Sequence, residues 1–474
     1  MPIFTVGAAG TTTSSSYEIA NSLRFNAVGS NNSLKKTFSS AGNQQTMTFS
    51  FWVKRSIVAE DFGGGGLFGC GTADGDELNL TFRSNVIDLR WEMTNGTQGD
   101  FRTNRKFRDM SAWYHIVLAL DSTQSTSSNR IRIYVNGVEE TSFGEAAYPN
   151  QNLNFKINGT VEQEIGRFIR SDKSLVGYLT EFVFIDGQQL TPSSFGEFDD
   201  NNNWIPKDVS DLTFGSNGYH LDFEDSSSLG NDVSGNNNDW TPNNFSATNQ
   251  SVDTPTNNYN VLNVLTQRAG GTIEEGGLKY TAATSDSSIF GTLPVPAGMK
   301  VYFEVKLVNN TAQNSIGIHN LYDGGDGAFV KGGSEAGTYS YKVRGAASYT
   351  QYFNNGSVTT TSIGNYSNDT IIGVAIDNSN GQIHYHANGT YINSSDPTDN
   401  NPTALVTGFG GSSEQYLHFS LDTTSSQPIN QYNFGSPPYS ISSGNSDGNG
   451  HGNFEHAVPS GYYALNSKNL AQFG

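Results

Sequence analysis

The chain has 474 residues, a formal net charge of −19 and a single cysteine, Cys70. Its length suits two or three domains. Its acidity argues against a nucleic-acid-binding groove, and the lone cysteine excludes an intramolecular disulfide and a zinc site built from several cysteines. Aromatic residues make up 12% and charged residues 15% of the chain, and no long stretch has a helical apolar period. With abundant Ser, Thr, Asn and Gly, this composition predicts an all-β protein.

Residues 1–21 begin with MPIFTVGAAGTTTSSS, a short apolar start followed by Gly, Ala, Thr and Ser. This composition cannot bury a core and favours an arm or linker. Two interpretations stay open: a frayed terminus, or an arm that anchors the chain in a larger assembly. The start lacks the pattern of a secretory leader, and no later segment has the length and hydrophobicity to span a bilayer, so we expect no membrane insertion.

From Ser22 onward, short alternating runs separated by Gly and Asn indicate β-strands. The most complete pattern is Trp113–Gly137, WYHIVLALDSTQSTSSNRIRIYVNG, in which two apolar runs flank a polar turn and the second run ends on Asn-Gly. It predicts a β-hairpin. Ile116, Leu118 and Leu120 share one face of its first strand, and the opposite face is apolar enough to be covered as well.

Several motifs in residues 22–200 occur in a characteristic order: LRFN, SFWVKR, WYHIVLALD, IRIYVNG, EIGRF and GYLTEFVFIDGQQLTPSSF. In this order they resemble the laminin-G-like form of the concanavalin A-like lectin/glucanase domains. The resemblance implies a jelly-roll β-sandwich with a lectin-like role.

Residues 201–260 contain one alternating run, GYHLDFED, within Asn-rich text. This composition predicts an irregular but ordered connector. The strings LGNDVSGNNNDW and DTPTNNY are similar to connectors that accompany laminin-G-like modules in tailed-phage virion proteins. That resemblance implies a component of a virus particle.

Residues 261–474 form a second module, with a half-buried strand at VYFEVKL and a second hairpin at DTIIGVAIDNSNGQIHYHANG. The order of these strands is similar to the SPRY fold, a bent β-sandwich. The predicted fold is therefore two antiparallel β-sandwich, or jelly-roll, domains joined by the irregular connector.

Catalytic motifs are missing. The Glu-x-Asp-x-x-Glu strand that a glucanase-type jelly roll needs is absent, as are Gly-x-Ser-x-Gly and His-Glu-x-x-His, so we expect no enzymatic activity. His384 and His386 point to one face of a strand, and with His418 from a neighbouring strand they would suit zinc. The alternative is that they form the polar face of a half-buried strand.

Calcium is the cofactor that the sequence favours most, because Asp and Asn turns supply hard oxygen ligands. The same residues also form solvated turns without any metal. The candidates are Asp74, Asp76 and Glu77; Asp232, Asn236, Asn238 and Asp239; Asp323 and Asp326; and Asp447.

Sugar binding requires rim aromatic residues that stack on the ring, with polar neighbours for its hydroxyl groups. The aromatic residues beside polar loops are Trp91, Trp204, Trp240 and Tyr352. Trp52 and Trp113 have alternating apolar neighbours, which places them in the core.

The sequence thus predicts a structural surface protein of a bacteriophage virion: a tail fibre, a head fibre or a capsid decoration protein. Its partners would be other virion proteins and host surface glycans, and we expect a symmetric homo-oligomer, specifically a trimer. The alternative is a secreted carbohydrate-binding or glycan-hydrolysing protein. A third hypothesis is a purely structural protein that binds no sugar.

Overall fold

The computed structural model describes residues 17–26, 31–58, 65–73, 75–169, 173–283, 286–310, 313–320, 336–344, 350–361, 364–399, 404–411, 413–422 and 427–474. Residues 1–16 of the expected arm lie outside these ranges. The next residues are docked: Ile19 is buried, and the Tyr17 hydroxyl donates a hydrogen bond to Glu181 Oε2 at 3.2 Å. In the described part of the chain, no helix has the length and apolar character needed to cross a membrane.

The regular secondary structure of the described chain is almost entirely β-strand, as the composition predicts. Its only α-helix in these ranges is α1 (Ser467–Phe473), and short 3-10 helices lie at Ser127–Asn129, Pro192–Ser194, Ala247–Asn249, Glu275–Gly277 and Ile392–Ser394. The strands of the first half are β1 (Ser22–Phe25), β2 (Ser33–Lys36), β3 (Thr46–Arg55), β4 (Gly66–Ala73), β5 (Asp76–Arg83), β6 (Val86–Glu92), β7 (Gln98–Thr103), β8 (Trp113–Asp121), β9 (Ile131–Val135), β10 (Val138–Glu139), β11 (Phe143–Ala146), β12 (Gln163–Ile165), β13 (Gly177–Asp186), β14 (Gly196–Phe198), β15 (Trp204–Pro206), β16 (Tyr219–Leu221), β17 (Thr241–Asn243) and β18 (Gln250–Ser251).

The first half folds into an antiparallel sandwich. Sheet A has the strand order β10-β9-β8-β3-β13-β1-β18, with β16 also paired to β13, and sheet B has the order β11-β7-β6-β5-β4-β12-β2-β17. Large apolar side chains from the inner faces of both sheets, such as Phe49, Phe182 and Leu80, form one core between them. Inner faces that interdigitate in one core are typical of two face-packed sheets.

The hairpin predicted at Trp113–Gly137 is confirmed. Strands β8 and β9 pair with Leu118 opposite Ile133, and Asn136-Gly137 forms the two-residue turn from β9 to β10 with φ of 48° and 79°. Positive φ at both positions is what makes Asn-Gly the preferred sequence for such a turn. As expected, both faces of β8 are covered: Leu118 faces the core, and Val117 faces a second apolar cluster outside sheet A.

Residues 201–260 are more than a connector. Strand β16 joins sheet A beside β13, β17 joins sheet B beside β2, and β18 joins sheet A beside β1. Leu229 and Trp240 from this segment are buried in the first core. The Asn-rich segments between the short strands therefore contain residues of the first core.

The second half forms another antiparallel sandwich. Sheet C has the order β19-β22-β32-β24-β25-β26-β27, and sheet D has the order β20-β21-β33-β23-β28-β29-β30, with β31 beside β29. Its strands are β19 (Leu262–Arg268), β20 (Gly271–Glu274), β21 (Lys279–Ala282), β22 (Ser287–Val295), β23 (Lys300–Asn309), β24 (Gln313–His319), β25 (Thr338–Arg344), β26 (Thr350–Asn354), β27 (Ser357–Thr361), β28 (Ile371–Asp377), β29 (Gln382–Ala387), β30 (Thr390–Tyr391), β31 (Val406–Thr407), β32 (Gln415–Asp422) and β33 (Ile429–Asn433).

The second predicted hairpin is also confirmed: β28 and β29 pair with Val374 opposite Tyr385. The outward face of sheet D is covered by the C-terminal segment, because Phe454 and Tyr462 pack on Tyr302 of β23. This cover explains why the far side of the sheet is not solvated.

The two sandwiches share a buried interface. Across it, Arg24 Nη1 donates to Pro437 O at 3.0 Å, and the hydroxyl oxygens of Ser251 and Ser436 lie 2.7 Å apart. On the side of the first sandwich, Lys54 Nζ lies 2.7 Å from Asp253 Oδ2, and Trp113 Nε1 donates to Asp253 Oδ1 at 3.1 Å. Trp52 and Trp113 are buried, as expected, but not in the first core. Both belong to the apolar cluster of the second sandwich, because they stand on the outward face of sheet A.

Candidate functional site

Trp204 lies in a small separate sheet on the outer side of sheet A. Strand β14 pairs with β15, and Phe198 lies opposite Trp204. The two rings meet edge to face, with their centroids 4.9 Å apart. Phe198 remains 47% exposed, so the hairpin presents an aromatic pair at the surface.

Two glycines make room for the indole ring of Trp204. A Cβ added to Gly137 would lie 2.4 Å from Trp204 Cε3, and one added to Gly196 would lie 2.6 Å from Trp204 Cε2. The β9–β10 turn and strand β14 therefore contact the ring through bare backbone. This contact restricts the ring to one position.

His115 holds the polar edge of the same ring. Trp204 Nε1 donates to His115 Nδ1 at 2.9 Å, and the two rings stack with their centroids 5.8 Å apart. Because the indole is only a donor, the neutral imidazole carries its proton on Nε2 and donates to Ser50 Oγ at 2.8 Å. Burial lowers the pKa of His115 to about 3, so the ring is neutral.

This arrangement excludes Ser50 as an activated nucleophile. A general base must accept the hydroxyl proton, whereas His115 donates to Ser50. Both side chains are also buried. The Ser50–His115–Trp204 chain therefore orients the indole and has no means to activate the serine.

The aromatic pair borders a cleft of about 510 Å³. The polar residues around it are exposed and of mixed chemistry: hydroxyls, one carboxylate and one ammonium. They are Thr191, Ser193, Glu197 and Lys207. A fixed aromatic surface surrounded by hydrogen-bonding groups is the arrangement that suits a sugar ring.

The other three predicted aromatic residues are not part of this cleft. Trp91 and Trp240 are 1% and 3% exposed and lie in the first core, so the prediction that they stack on sugars is wrong. Each tryptophan has polar neighbours in the sequence, but its own strand or loop directs the side chain into the core. Tyr352 on β26 is half-buried and packs on the second core.

The acidic loop at residues 232–239 is built as a polar turn. Asp232 Oδ1 accepts from the backbone N–H groups of His220 and Ser234, and Oδ2 accepts from that of Asn238. The side-chain amides of Asn236 and Asn238 donate to Gly218 O, and Asp239 accepts from the Asp232 N–H. Hydrogen bonds from N–H donors thus account for this loop as a polar turn, and calcium binding here stays a prediction.

The other acidic candidates in the described part of the chain are not grouped as a metal site. Asp76 Oδ1 lies 2.6 Å from Lys156 Nζ. Burial acts to raise the pKa of Asp76, but hydrogen bonds from Lys156 and Thr72 outweigh it and hold that pKa below its usual value. Glu77 faces Glu92 across β5 and β6, and Asp447 accepts from backbone N–H groups and Asn469 Nδ2. The predictions at Asp74, Asp323 and Asp326 lie outside the described residues.

The three histidines considered for zinc lie on two sheets. His384 and His386 are buried on β29 of sheet D, whereas His418 is on β32 of sheet C. His386 Nδ1 accepts from the Gly389 N–H and its Nε2 lies 2.8 Å from the Tyr302 hydroxyl. Among the described residues, no group of three or more His, Cys, Asp or Glu side chains is placed to hold a metal ion.

Sequence reasoning identified Trp204 but missed the residues that define its cleft. The Asn-Gly turn at Gly137 was visible as a turn, but nothing local indicates that a residue far along the chain packs on it. Phe198 and Glu197 stand in the string FGEFDDNNNW, whose polarity indicates exposure without indicating a cleft.

A family model described as the concanavalin A-like lectin/glucanases superfamily, Laminin_G_3, matches residues 26–193. This match confirms the laminin-G-like resemblance for the first sandwich. It covers most of the strands of sheets A and B and ends within the residues that border the cleft. No curated protein matches the chain.

Several solved structures are similar to parts of the chain. The SPRY domain of human HERC1 is 10% identical over 36% of this chain and 96% of its own, with a TM-score of 0.27. A pentraxin from Limulus polyphemus is 16% identical over 37% of this chain and 80% of its own, with a TM-score of 0.27. A putative carbohydrate-binding protein from Bacteroides ovatus is 17% identical over 48% of this chain and 59% of its own, with a TM-score of 0.34.

Proposed function

We propose that this chain is a non-catalytic carbohydrate-binding protein on the surface of a tailed-phage particle, and that the cleft beside Trp204 binds host glycans. The observation that carries the proposal is the held position of Trp204. Two glycines and His115 fix the indole, while hydroxyl and charged side chains surround the open side of the cleft.

Fixing the ring matters for affinity. A sugar that stacks on a mobile side chain must also order that side chain, at a cost of about 0.5–1.5 kcal/mol. Here the hydrogen bond from Trp204 to His115 and the contacts with Gly137 and Gly196 have already ordered it. The laminin-G-like family match covers His115 and Gly137 and ends before Gly196 and Trp204.

The phage assignment rests on the resemblance of LGNDVSGNNNDW and DTPTNNY to virion connectors. In that setting the chain serves as a fibre or decoration protein and forms a trimer with other virion proteins around it. Repeated copies on one particle would raise the effective concentration of a weak site without any new contact. A shallow, open cleft is sufficient for such a protein.

A glycan array tests the binding function. The full chain is expected to bind a subset of bacterial surface glycans, and Trp204→Ala and Phe198→Ala are each expected to weaken binding about tenfold or more, as for an aromatic residue at the centre of an interface. Val138→Ala, at an exposed residue that follows the Gly137 turn and does not line the cleft, is the control and should bind normally. A flat array, or equal binding by all four proteins, would overturn the proposal.

Mass measurement and imaging test the particle role. We expect a trimer in solution or on the particle, and electron microscopy of particles that contain this chain should place it at the surface. A monomer in both settings would remove the oligomer, and exclusion from purified particles would remove the virion role while leaving glycan binding intact.

A further inference from the structure

A second cavity, of about 550 Å³, lies on the opposite side of the first sandwich. It opens on the outer face of sheet B, where Lys35 on β2 is paired with Glu164 on β12. The alternate residues Leu34 and Ile165 face the core, so both charged side chains point outward. The Trp204 cleft lies outside sheet A, so the two recesses are separated by the sandwich.

A buried carboxylate organises this cavity. The Glu164 side chain is 2% exposed, with Oε1 at 3.2 Å from Lys35 Nζ and Oε2 at 3.3 Å from Arg167 Nη1. Lys35 Nζ is also 3.3 Å from Glu162 Oε1. An ammonium group has three donors, so these two carboxylates leave Lys35 one N–H for a ligand.

The charges in the cavity cancel. Two cations, Lys35 and Arg167, alternate with two carboxylates, Glu162 and Glu164, so an anion or a cation entering the cavity meets like charge beside opposite charge. A neutral group that both donates and accepts hydrogen bonds avoids this repulsion. Hydroxyl groups have that property, and hydrogen bonds from fixed charged groups are the stronger kind.

The remaining lining fits a small polar ring. Thr160 adds an exposed hydroxyl, and Gly71 leaves the wall free of a side chain. A side chain at Gly71 is impossible without rearrangement, because its Cβ would lie 2.5 Å from Asp76 O. The cavity volume falls within the range of small-molecule sites.

We infer that this cavity is a second saccharide site, one that takes a neutral, hydroxyl-rich sugar by hydrogen bonding instead of by aromatic stacking. The inference rests on the proposed function for the class of ligand and extends it by a second site of different chemistry. Two sites on opposite faces allow one chain to contact two glycan strands.

Photo-crosslinking of the full chain tests the inference. The probes are diazirine derivatives of the neutral disaccharides lactose, maltose and cellobiose, with a glucuronic acid and a glucosamine derivative for comparison, and labelled peptides are mapped by mass spectrometry. We expect the neutral probes to label the peptides that contain Lys35 or residues 160–167. We expect the charged probes to label those peptides less.

Variants then assign the labelling. Lys35→Met should reduce labelling of the 160–167 peptide about tenfold, the effect of one lost charge-assisted hydrogen bond, and leave residues 191–207 unchanged. Thr160→Trp fills the cavity mouth while keeping the ion pairs, so it serves if Lys35→Met does not fold. Lys106→Met, an exposed lysine elsewhere on the same sandwich, is the control.

The outcomes separate the two sites. Labelling confined to residues 191–207 would overturn this inference and leave the proposed function standing. Labelling confined to residues 160–167 and Lys35 would support the inference and remove Trp204 from glycan binding. No labelling at either place, or unchanged labelling in both cavity variants, would overturn the inference.

Discussion

His115 should make the first sandwich lose stability in mild acid. Burial lowers the pKa of this imidazole to about 3 in the folded chain, whereas an unfolded histidine titrates near about 6.5. Between these values the unfolded chain binds a proton that the folded chain excludes, so the free energy of unfolding falls as pH falls. From about pH 7.5 to about pH 5, one such group lowers it by about 2 kcal/mol.

Urea unfolding of the wild type and of His115→Asn at both pH values isolates this contribution. Asn supplies an acceptor for Trp204 Nε1 but has no titratable group. The free energy of unfolding of His115→Asn should therefore fall between the two pH values by about 2 kcal/mol less than that of the wild type. His220→Gln is the control, because the pKa of His220 is shifted in the opposite direction from that of His115. Burial acts to lower the pKa of His220, but the hydrogen bond and charge of Glu181 outweigh it and raise that pKa.

The stabilisation from His220 is therefore fully present below the pKa of the unfolded chain and is lost as pH rises through the pKa of the folded chain. His220→Gln removes this stabilisation, so the variant should lose more stability than the wild type when the pH is lowered. If His115→Asn and the wild type lose the same stability, the buried imidazole is protonated in the folded chain. The neutral hydrogen-bond chain to Trp204 would then be wrong.

Three further changes test the packing. Lys54→Ala leaves Asp253 buried without its cation and should destabilise the chain by about 3–5 kcal/mol in urea unfolding. Trp240→Ala should destabilise the first sandwich by about 3–5 kcal/mol. If this variant melts at a lower temperature and proteases then cleave peptides of sheet A, residues 201–260 belong to the folding unit of the first sandwich. Gly196→Ala displaces the Trp204 ring and should abolish glycan-array binding while the melting temperature of the second sandwich stays unchanged.

The hairpins were predictable because their signals are local. Asn136-Gly137 specifies its turn through backbone conformation alone, and the alternation in β8 assigns each side chain to a face. The structure adds which segment covers each face. Trp52 and Trp113 were correctly predicted to be buried, but the second sandwich covers them, and the sequence carries no local mark of that contact.

The polar sites were harder to predict, because the same residue types serve two purposes. Asp232 and Asn238 have the composition of a calcium loop and of a hydrogen-bonded turn, and only the direction of their side chains separates the two. The tryptophans pose the same difficulty. Trp204 and Trp240 both follow Asn-rich segments, yet Trp204 borders a cleft and Trp240 is buried in the first core.

The most direct test of the central claim is a glycan titration followed by the indole N–H signals of the five tryptophans in an ¹H–¹⁵N spectrum, with Trp204 assigned from Trp204→Phe. A glycan selected on the array should shift the Trp204 signal in a saturable manner and leave those of the buried Trp91 and Trp240 in place. Saturable binding with an unmoved Trp204 signal would contradict the assignment of the cleft as the glycan site.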